Sequence, residues 1–137
     1  MSKFDELTSL LELLEGDTYG EWFVDKEHKG TIDDPLQMPY LIYTETVQKF
    51  ITAVYDFCDA NPDYKLTNYK DILQERGVEW TMASLRRANV ENMDSQGVMA
   101  LLMGLIRGER FCGGSILEAL KEGMVQKWLN RLKEFPG

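Results

Sequence analysis

Apolar side chains return every three or four positions over most of this chain, the spacing typical of amphipathic helices. The first stripe consists of Phe4, Leu7, Leu10, Leu11 and Leu14. It stops before Gly16, a residue type suited to end a helix. Capping residues stand in front of several later stripes, and Ser115 is expected to cap one of them. The pattern predicts further helices over residues 44–59, 67–77, 82–88, 95–108, 115–122 and 125–135.

The helical period is interrupted between residues 18 and 43. Two runs in this part, GEWFVDKE and LQMPYLIY, predict either the strands of a small β-hairpin or an extended loop with aromatic anchors. No repeat, low-complexity tract or linker rich in Pro, Gly or Ser divides the chain. We therefore predict a mainly α fold, a compact bundle of five to six helices in a single domain over residues 1–137.

The composition is that of an ordinary globular protein, with 44% hydrophobic and 28% charged residues. No apolar run approaches the roughly 20 residues of a membrane span. The N-terminal residues carry acids and lack the apolar core of a secretory signal. The two cysteines form no CxxC pair and are interpreted as reduced thiols. These features predict a cytoplasmic protein that does not associate with a membrane.

Charge is spread unevenly along the chain, whose formal net charge is −8. Residues 1–34 hold ten acids and three lysines, whereas residues 101–137 hold six basic residues and four acids. An acidic chain repels a phosphate backbone unless its basic end is presented alone. Nucleic acid is therefore disfavoured as a partner.

The stretch LIRGERFCGG concentrates the polar chemistry of the chain at a predicted helix end. Arg107 and Arg110 are three positions apart, so on a helix their guanidinium groups share a face and suit one phosphate or carboxylate. Glu109 would orient an arginine or act as a base, and Gly113 and Gly114 would let backbone N–H groups approach an anion. A structural interpretation stays open, with the arginines paired to carboxylates and the glycines forming a corner.

Aromatic residues cluster in the segment that lacks helical period. Trp22 and Tyr40 are candidates to stack on a planar ligand or to anchor an interface. The alternative is that they bury themselves and fix a long connection onto the helices.

The sequence lacks the motifs that define common enzymes and metal sites. His28 is the single histidine, and three or four ligands at zinc-site spacing are not present. Cys112 follows two arginines, but no second histidine exists to activate it. GxSxG, GxxxxGK[ST], HExxH and GxGxxG are also absent. We therefore predict no catalytic residue, no metal and no cofactor.

Three segments resemble an uncharacterised bacterial family, classed as a domain of unknown function. Its members show a Pro-Tyr-x-x-Tyr segment, an Arg-Gly/Ala-Glu-Arg-Phe-Cys element and a C-terminal Gly-x-Ile/Val helix that ends in Leu-x-Arg-Leu-Lys. The matching residues are Pro39, Tyr40 and Tyr43, then Arg107 to Cys112, then Gly123, Val125, Leu129, Arg131, Leu132 and Lys133. Gly113 departs from the acidic or polar residue often found in the family. The resemblance implies a bacterial or phage-borne cytoplasmic protein and supplies no activity.

The leading functional hypothesis is a non-enzymatic interaction module of the cytoplasm, with a regulatory role left open. Its working surface would combine the Arg107–Phe111 corner with the aromatic segment, and its partner would be another protein or a second copy of the chain. The alternative is a small receptor or enzyme for an anionic metabolite such as a nucleotide. In that case Arg107 and Arg110 would clamp the anion and Trp22 or Tyr40 would stack on it.

Overall fold

The computed structural model describes residues 3–23, 40–111 and 113–135. Its helices are α1 (Asp5–Thr8), α2 (Leu10–Leu14), α3 (Glu45–Ala60), α4 (Tyr69–Glu75), α5 (Met82–Arg87), α6 (Ser95–Gly108), α7 (Ser115–Lys121) and α8 (Met124–Leu132). Two strands, β1 (Gly20–Phe23) and β2 (Tyr40–Tyr43), form one antiparallel sheet. Short 3₁₀ turns lie at Pro62–Tyr64, Leu66–Asn68 and Val90–Asn92. The predicted mainly α fold with a small β-hairpin is confirmed.

Helix α6 forms the centre of the hydrophobic core. Every residue from Gly97 to Ile106 is buried. The helix packs against α3, α4, α5, α7 and α8. A helix that is apolar all round needs neighbours on every side, as this arrangement provides. The position of α6 fixes where its C-terminal end, and with it the Arg107–Phe111 corner, emerges from the core.

Side-chain caps set the start of three helices. The Thr44 side chain accepts a hydrogen bond from the Val47 N–H at 3.4 Å, at the start of α3. Thr81 does the same for Ser84 in α5, and Asp94 accepts from the Gly97 N–H at 3.1 Å in α6. Such caps satisfy N–H groups that lack a partner inside the helix. The predicted starts of α3 and α6 are confirmed at these positions.

The N-terminal stripe forms two short helices rather than one. Ser9 separates α1 from α2 but keeps helical backbone angles, so the two have nearly the same course. The hydroxyls of Thr8 and Ser9 donate back to the carbonyls of Asp5 and Glu6. This competition with backbone bonding accounts for the break, because Ser and Thr side chains offer the chain an alternative to helix.

The hairpin is joined to the start of α3 through Asp17. Its carboxylate accepts from the Thr44 hydroxyl at 2.7 Å and from the Tyr19 N–H at 3.0 Å. Tyr43 pairs with Gly20 across the sheet, and Trp22 pairs with Leu41. Alternate residues of a strand share a face, so Tyr43 and Trp22 lie on the same side of the hairpin. That side faces the corner after α6.

No helix in the described ranges has the length and apolar character needed to cross a lipid bilayer.

Candidate functional site

Glu109 caps the N-terminus of α7 from outside that helix. Its Oε1 accepts from the Ile116 N–H at 2.9 Å, and its Oε2 accepts from the Gly114 N–H at 2.7 Å. The first N–H groups of a helix have no partner within it and carry partial positive charge. The carboxylate therefore holds the end of α6 against the start of α7.

Tyr43 completes this network from the hairpin. Its hydroxyl donates to Glu109 Oε1 at 2.8 Å and accepts from the Leu117 N–H at 3.2 Å. Burial, and then the hydrogen bond to the Glu109 carboxylate, raises the pKa of Tyr43 well above its ordinary value. The tyrosine therefore stays protonated and joins three elements, β2, α6 and α7, at one point.

The expected cap of α7 by Ser115 is wrong. Gly114 occupies the N-cap position with φ +94°, and Ser115 is the first helical residue. The physical reason is that Glu109 already supplies the acceptor that a capping hydroxyl would provide. The N–H group of Gly114, a residue predicted to let backbone donors approach an external anion, bonds to this side chain instead, as does that of Ile116.

Trp22 covers the two glycines of the turn. A Cβ on Gly114 would lie 2.9 Å from the Trp22 ring, and a Cβ on Gly113 would lie 4.0 Å from it. The side chain of Trp22 is 45% exposed. Glycine is therefore required at position 114 for two reasons: the backbone is left-handed, and the Trp22 indole approaches it closely.

The two arginines of the corner line a cavity on a different side of the turn. This cavity, which we call the basic groove, has a volume of about 480 Å³ and is lined by Lys70, Asp71, Arg107, Arg110 and Phe111, together with residues 67–69. The lining therefore contains three cationic side chains and one carboxylate, that of Asp71. Within the part of the chain that the structure describes, the side chain of neither arginine makes an ion pair or a hydrogen bond. The groove therefore presents positive charge on a chain whose net charge is −8.

The charge of Arg107 acts on one titratable group of α3 and one of α4. Arg107 is half-buried, whereas Arg110 is exposed. Burial raises the pKa of Tyr69 and of Cys58, and the positive charge of Arg107 opposes that rise at both groups. The charge of Arg107 therefore affects side chains of two helices that both pack against α6.

Phe111 lines the basic groove and packs against Trp80, which lies outside its lining. Phe111 is 80% exposed, and its ring meets Trp80 edge to face with a centroid distance of 5.7 Å. The Lys70 ammonium lies 4.2 Å from the Trp80 ring centroid, and Tyr69 packs on the indole at 5.4 Å. A cation over an indole face is a favourable contact. Trp80 thus orients both Lys70 and Phe111.

On its far side Phe111 borders a second, smaller cavity, which we call the apolar pocket. Its volume is about 190 Å³, and its walls include Trp80, Met82, Leu85, Leu105 and Phe111. Phe111 and Trp80 border this pocket, and Phe111 also lines the basic groove. A charged surface and an apolar cavity therefore meet at one exposed aromatic ring.

The structure brings some of the sequence-predicted residues together and separates others. Arg107 and Arg110 share the basic groove. Glu109 lies beside them in the chain but bonds to Tyr43 and α7, so it orients neither arginine. Trp22 packs on the glycine turn and is not among the residues that line the groove. The side chain of Tyr40 lies outside the described part.

Lys70 and Trp80 were missed by the sequence reasoning. One signal for Trp80 was present, since Gly104 and Gly108 are four positions apart and lie on one face of α6. A Cβ on Gly104 would lie 3.3 Å from the Trp80 ring, so the space left by the glycines holds the indole. The Trp80 Nε1–H donates to the Gly104 carbonyl at 2.8 Å. Nothing in the sequence indicated which aromatic residue would fill that space.

Among the described residues, no group of three or more His, Cys, Asp or Glu side chains is placed to hold a metal ion. His28 and Cys112, the two other residues considered for such chemistry, lie outside the described ranges.

Comparison with curated proteins gave no match, and comparison with solved structures gave none. A family model does match, over residues 1–136, almost the full length of the chain. The resemblance noted in the three sequence segments is thereby supported at the level of a family without an assigned function. The chain belongs to a family of unknown function, DUF6508.

Proposed function

We propose that this chain is a non-enzymatic interaction module that binds a protein partner through the basic groove and Phe111. In this proposal residues 1–137 form one domain that works in the cytoplasm of a bacterium or of a phage-infected cell. The observation that carries the proposal is the exposed ring of Phe111 beside two arginines without a described ion pair. Aromatic residues and arginine are the types that dominate the energetics of protein interfaces.

The exposed ring of Phe111 is a candidate anchor for a partner, because aromatic side chains often dominate the energetics of interfaces. Phe111 is by far the most exposed of the large apolar side chains in the described ranges. Its backbone N–H donates to the Gly108 carbonyl at 3.0 Å, so the ring is presented at the end of α6. A preorganised anchor binds with less loss of conformational entropy than a mobile one. These features support a binding surface.

Charge indicates the kind of partner. The basic groove concentrates three cations on an acidic chain, and complementary charge steers association and fixes orientation. An acidic protein segment fits this surface. A nucleic acid fits it less well, because the rest of the molecule would repel the phosphate backbone.

The geometry of Glu109 argues against a catalytic role for the corner. Both of its oxygens accept hydrogen bonds from groups of the chain itself. A carboxylate has about four acceptor positions, so these three hydrogen bonds use most of its capacity to accept a proton from a substrate. The proposal therefore assigns Glu109 to the support of the surface.

Native mass spectrometry of the untagged chain, purified gently from the cells it comes from, tests this proposal. We expect a complex with a second polypeptide that is lost in the Arg107→Glu/Arg110→Glu variant. The matched control, Lys121→Glu/Lys127→Glu, makes the same change in charge at two exposed lysines outside the groove, and should keep the complex. A retained small anion that depends on the arginines, or a homodimer that ignores them, would contradict the proposal.

A further inference from the structure

The apolar pocket adds a second recognition element beside the basic groove. Its walls are apolar and aromatic, and Phe111 separates it from the cations. Because Phe111 belongs to both linings, a molecule that covers its exposed ring can contact both cavities. The two cavities therefore constrain the chemistry of one occupant.

The size of the apolar pocket selects a small group. At about 190 Å³ it is smaller than the ~300–1,000 Å³ of cavities that enclose drug-sized ligands. It is comparable to an apolar cavity of roughly 150 Å³ that admits benzene. One leucine- or phenylalanine-sized side chain fits this space, whereas a nucleotide base with its sugar exceeds it.

The floor of the apolar pocket is fixed by the structure. Trp80 is locked onto α6 by its hydrogen bond to the Gly104 carbonyl. Gly108 has no side chain, and a Cβ there would lie 3.9 Å from Trp80, an ordinary contact distance. Gly108 lines the cavity, so we expect a larger side chain at this position to fill it.

We propose that the apolar pocket takes one large apolar side chain of the partner, and that acidic residues close to it in the partner's sequence lie in the basic groove. This inference rests on the proposed function and specifies the recognised segment, a short acidic stretch with one leucine- or phenylalanine-sized anchor. Successive residues of an extended segment advance by about 3.3 Å. Carboxylates within a few positions of the anchor therefore reach the other side of Phe111.

Selection from a random peptide library displayed on phage tests the inference directly. The full chain is the bait, and the selected peptides are synthesised and measured by fluorescence anisotropy. Three variants accompany the wild type. Gly108→Leu fills the apolar pocket, Gly108→Ala adds only the Cβ that the structure accommodates, and Arg107→Glu/Arg110→Glu reverses the charge of the groove.

The expected result is enrichment of peptides that combine acidic residues with one Leu, Ile, Met or Phe. Replacing that anchor by alanine in the peptide should weaken binding about tenfold to a hundredfold, the effect of losing one buried apolar side chain. Gly108→Leu should weaken binding similarly, while Gly108→Ala leaves it unchanged. The peptide replacement gives a result even where Gly108→Leu does not fold.

Two other outcomes separate the claims. Acidic peptides that show no preference for an apolar anchor, and that lose binding only on charge reversal, would overturn the inference and leave the proposed function standing. Peptides whose binding ignores the charge reversal, or no enrichment at all, would overturn the proposed function and the inference together.

Discussion

Replacing Glu109 with alanine removes one carboxylate and three hydrogen bonds. The lost partners are the N–H groups of Gly114 and Ile116 and the hydroxyl of Tyr43. Hydrogen bonds to a charged group each contribute about 1.5–3 kcal/mol. Because Glu109 is only half-buried, water replaces part of that loss. We expect the free energy of unfolding to fall by about 3 kcal/mol.

This loss corresponds to a clear change in melting temperature. With an unfolding entropy of about 2.1 cal/mol/K per residue, a loss of about 3 kcal/mol in a chain of 137 residues lowers Tm by about 10 °C. Glu109→Gln keeps an acceptor oxygen and should lose roughly half as much. Glu12→Ala, at an exposed position on α2, is the control and should stay within about 0.5 kcal/mol of wild type.

Urea unfolding followed by circular dichroism and by the fluorescence of the three tryptophans provides the assay. Coincident transitions would establish two-state behaviour. A double-mutant cycle with Tyr43→Phe should give a coupling energy of about 1–2 kcal/mol, because the two side chains share a hydrogen bond. The reasoning is refuted if Glu109→Ala melts within about 2 °C of wild type, or if the two changes are additive.

Other consequences follow from the same geometry. The raised pKa of Tyr43 means that the folded state keeps a proton that the unfolded state loses above about pH 10. The free energy of unfolding should therefore decrease as the pH rises above about 10. Unfolding curves of Tyr43→Phe should show a smaller decrease. Gly114→Ala puts a Cβ on a left-handed backbone and against the Trp22 ring. Gly16→Ala is the control, because φ is also positive there but nothing lies within 4 Å, and it should cost roughly 1 kcal/mol. Calorimetry should show a larger destabilisation for Gly114→Ala, and equal losses would rule out the contact. Arg110→Ala should change the free energy of unfolding by less than about 0.5 kcal/mol, since the side chain is exposed and has no described partner; a variant that unfolds would show a structural ion pair.

The spacing of apolar residues predicted most of the fold, because an amphipathic helix can be recognised from a short stretch of sequence. The start of α3 at Thr44 and of α6 at Asp94 follows from capping chemistry that involves neighbours in the sequence. The sequence does not distinguish the hairpin from an extended loop, because strands of four residues are too short to show a clear alternation of apolar and polar positions. Local patterns do not say that β2 lies beside the end of α6.

The candidate site was predicted less completely, and the reason is long-range contact. The sequence predicted Glu109 to orient an arginine or act as a base. It bonds instead to Tyr43, which is 66 positions away in the chain and could not be recognised as its partner from the sequence. Lys70 joins the corner through the packing of α4 against α6, and Trp80 joins it through its hydrogen bond to the Gly104 carbonyl of α6. Sequence spacing shows which residue types are available, and only the fold shows which of them meet.

The claim that the corner is a protein-binding surface is tested most directly by site-specific photo-cross-linking. A photoreactive phenylalanine analogue replaces Phe111, and a control chain carries it at Leu13, which is 50% exposed on α2. The account predicts a discrete cross-linked protein from position 111 that disappears on reversal of the charges at Arg107 and Arg110, with no such product from position 13. Equal products from both positions, or a product at 111 that survives the charge reversal, would contradict it.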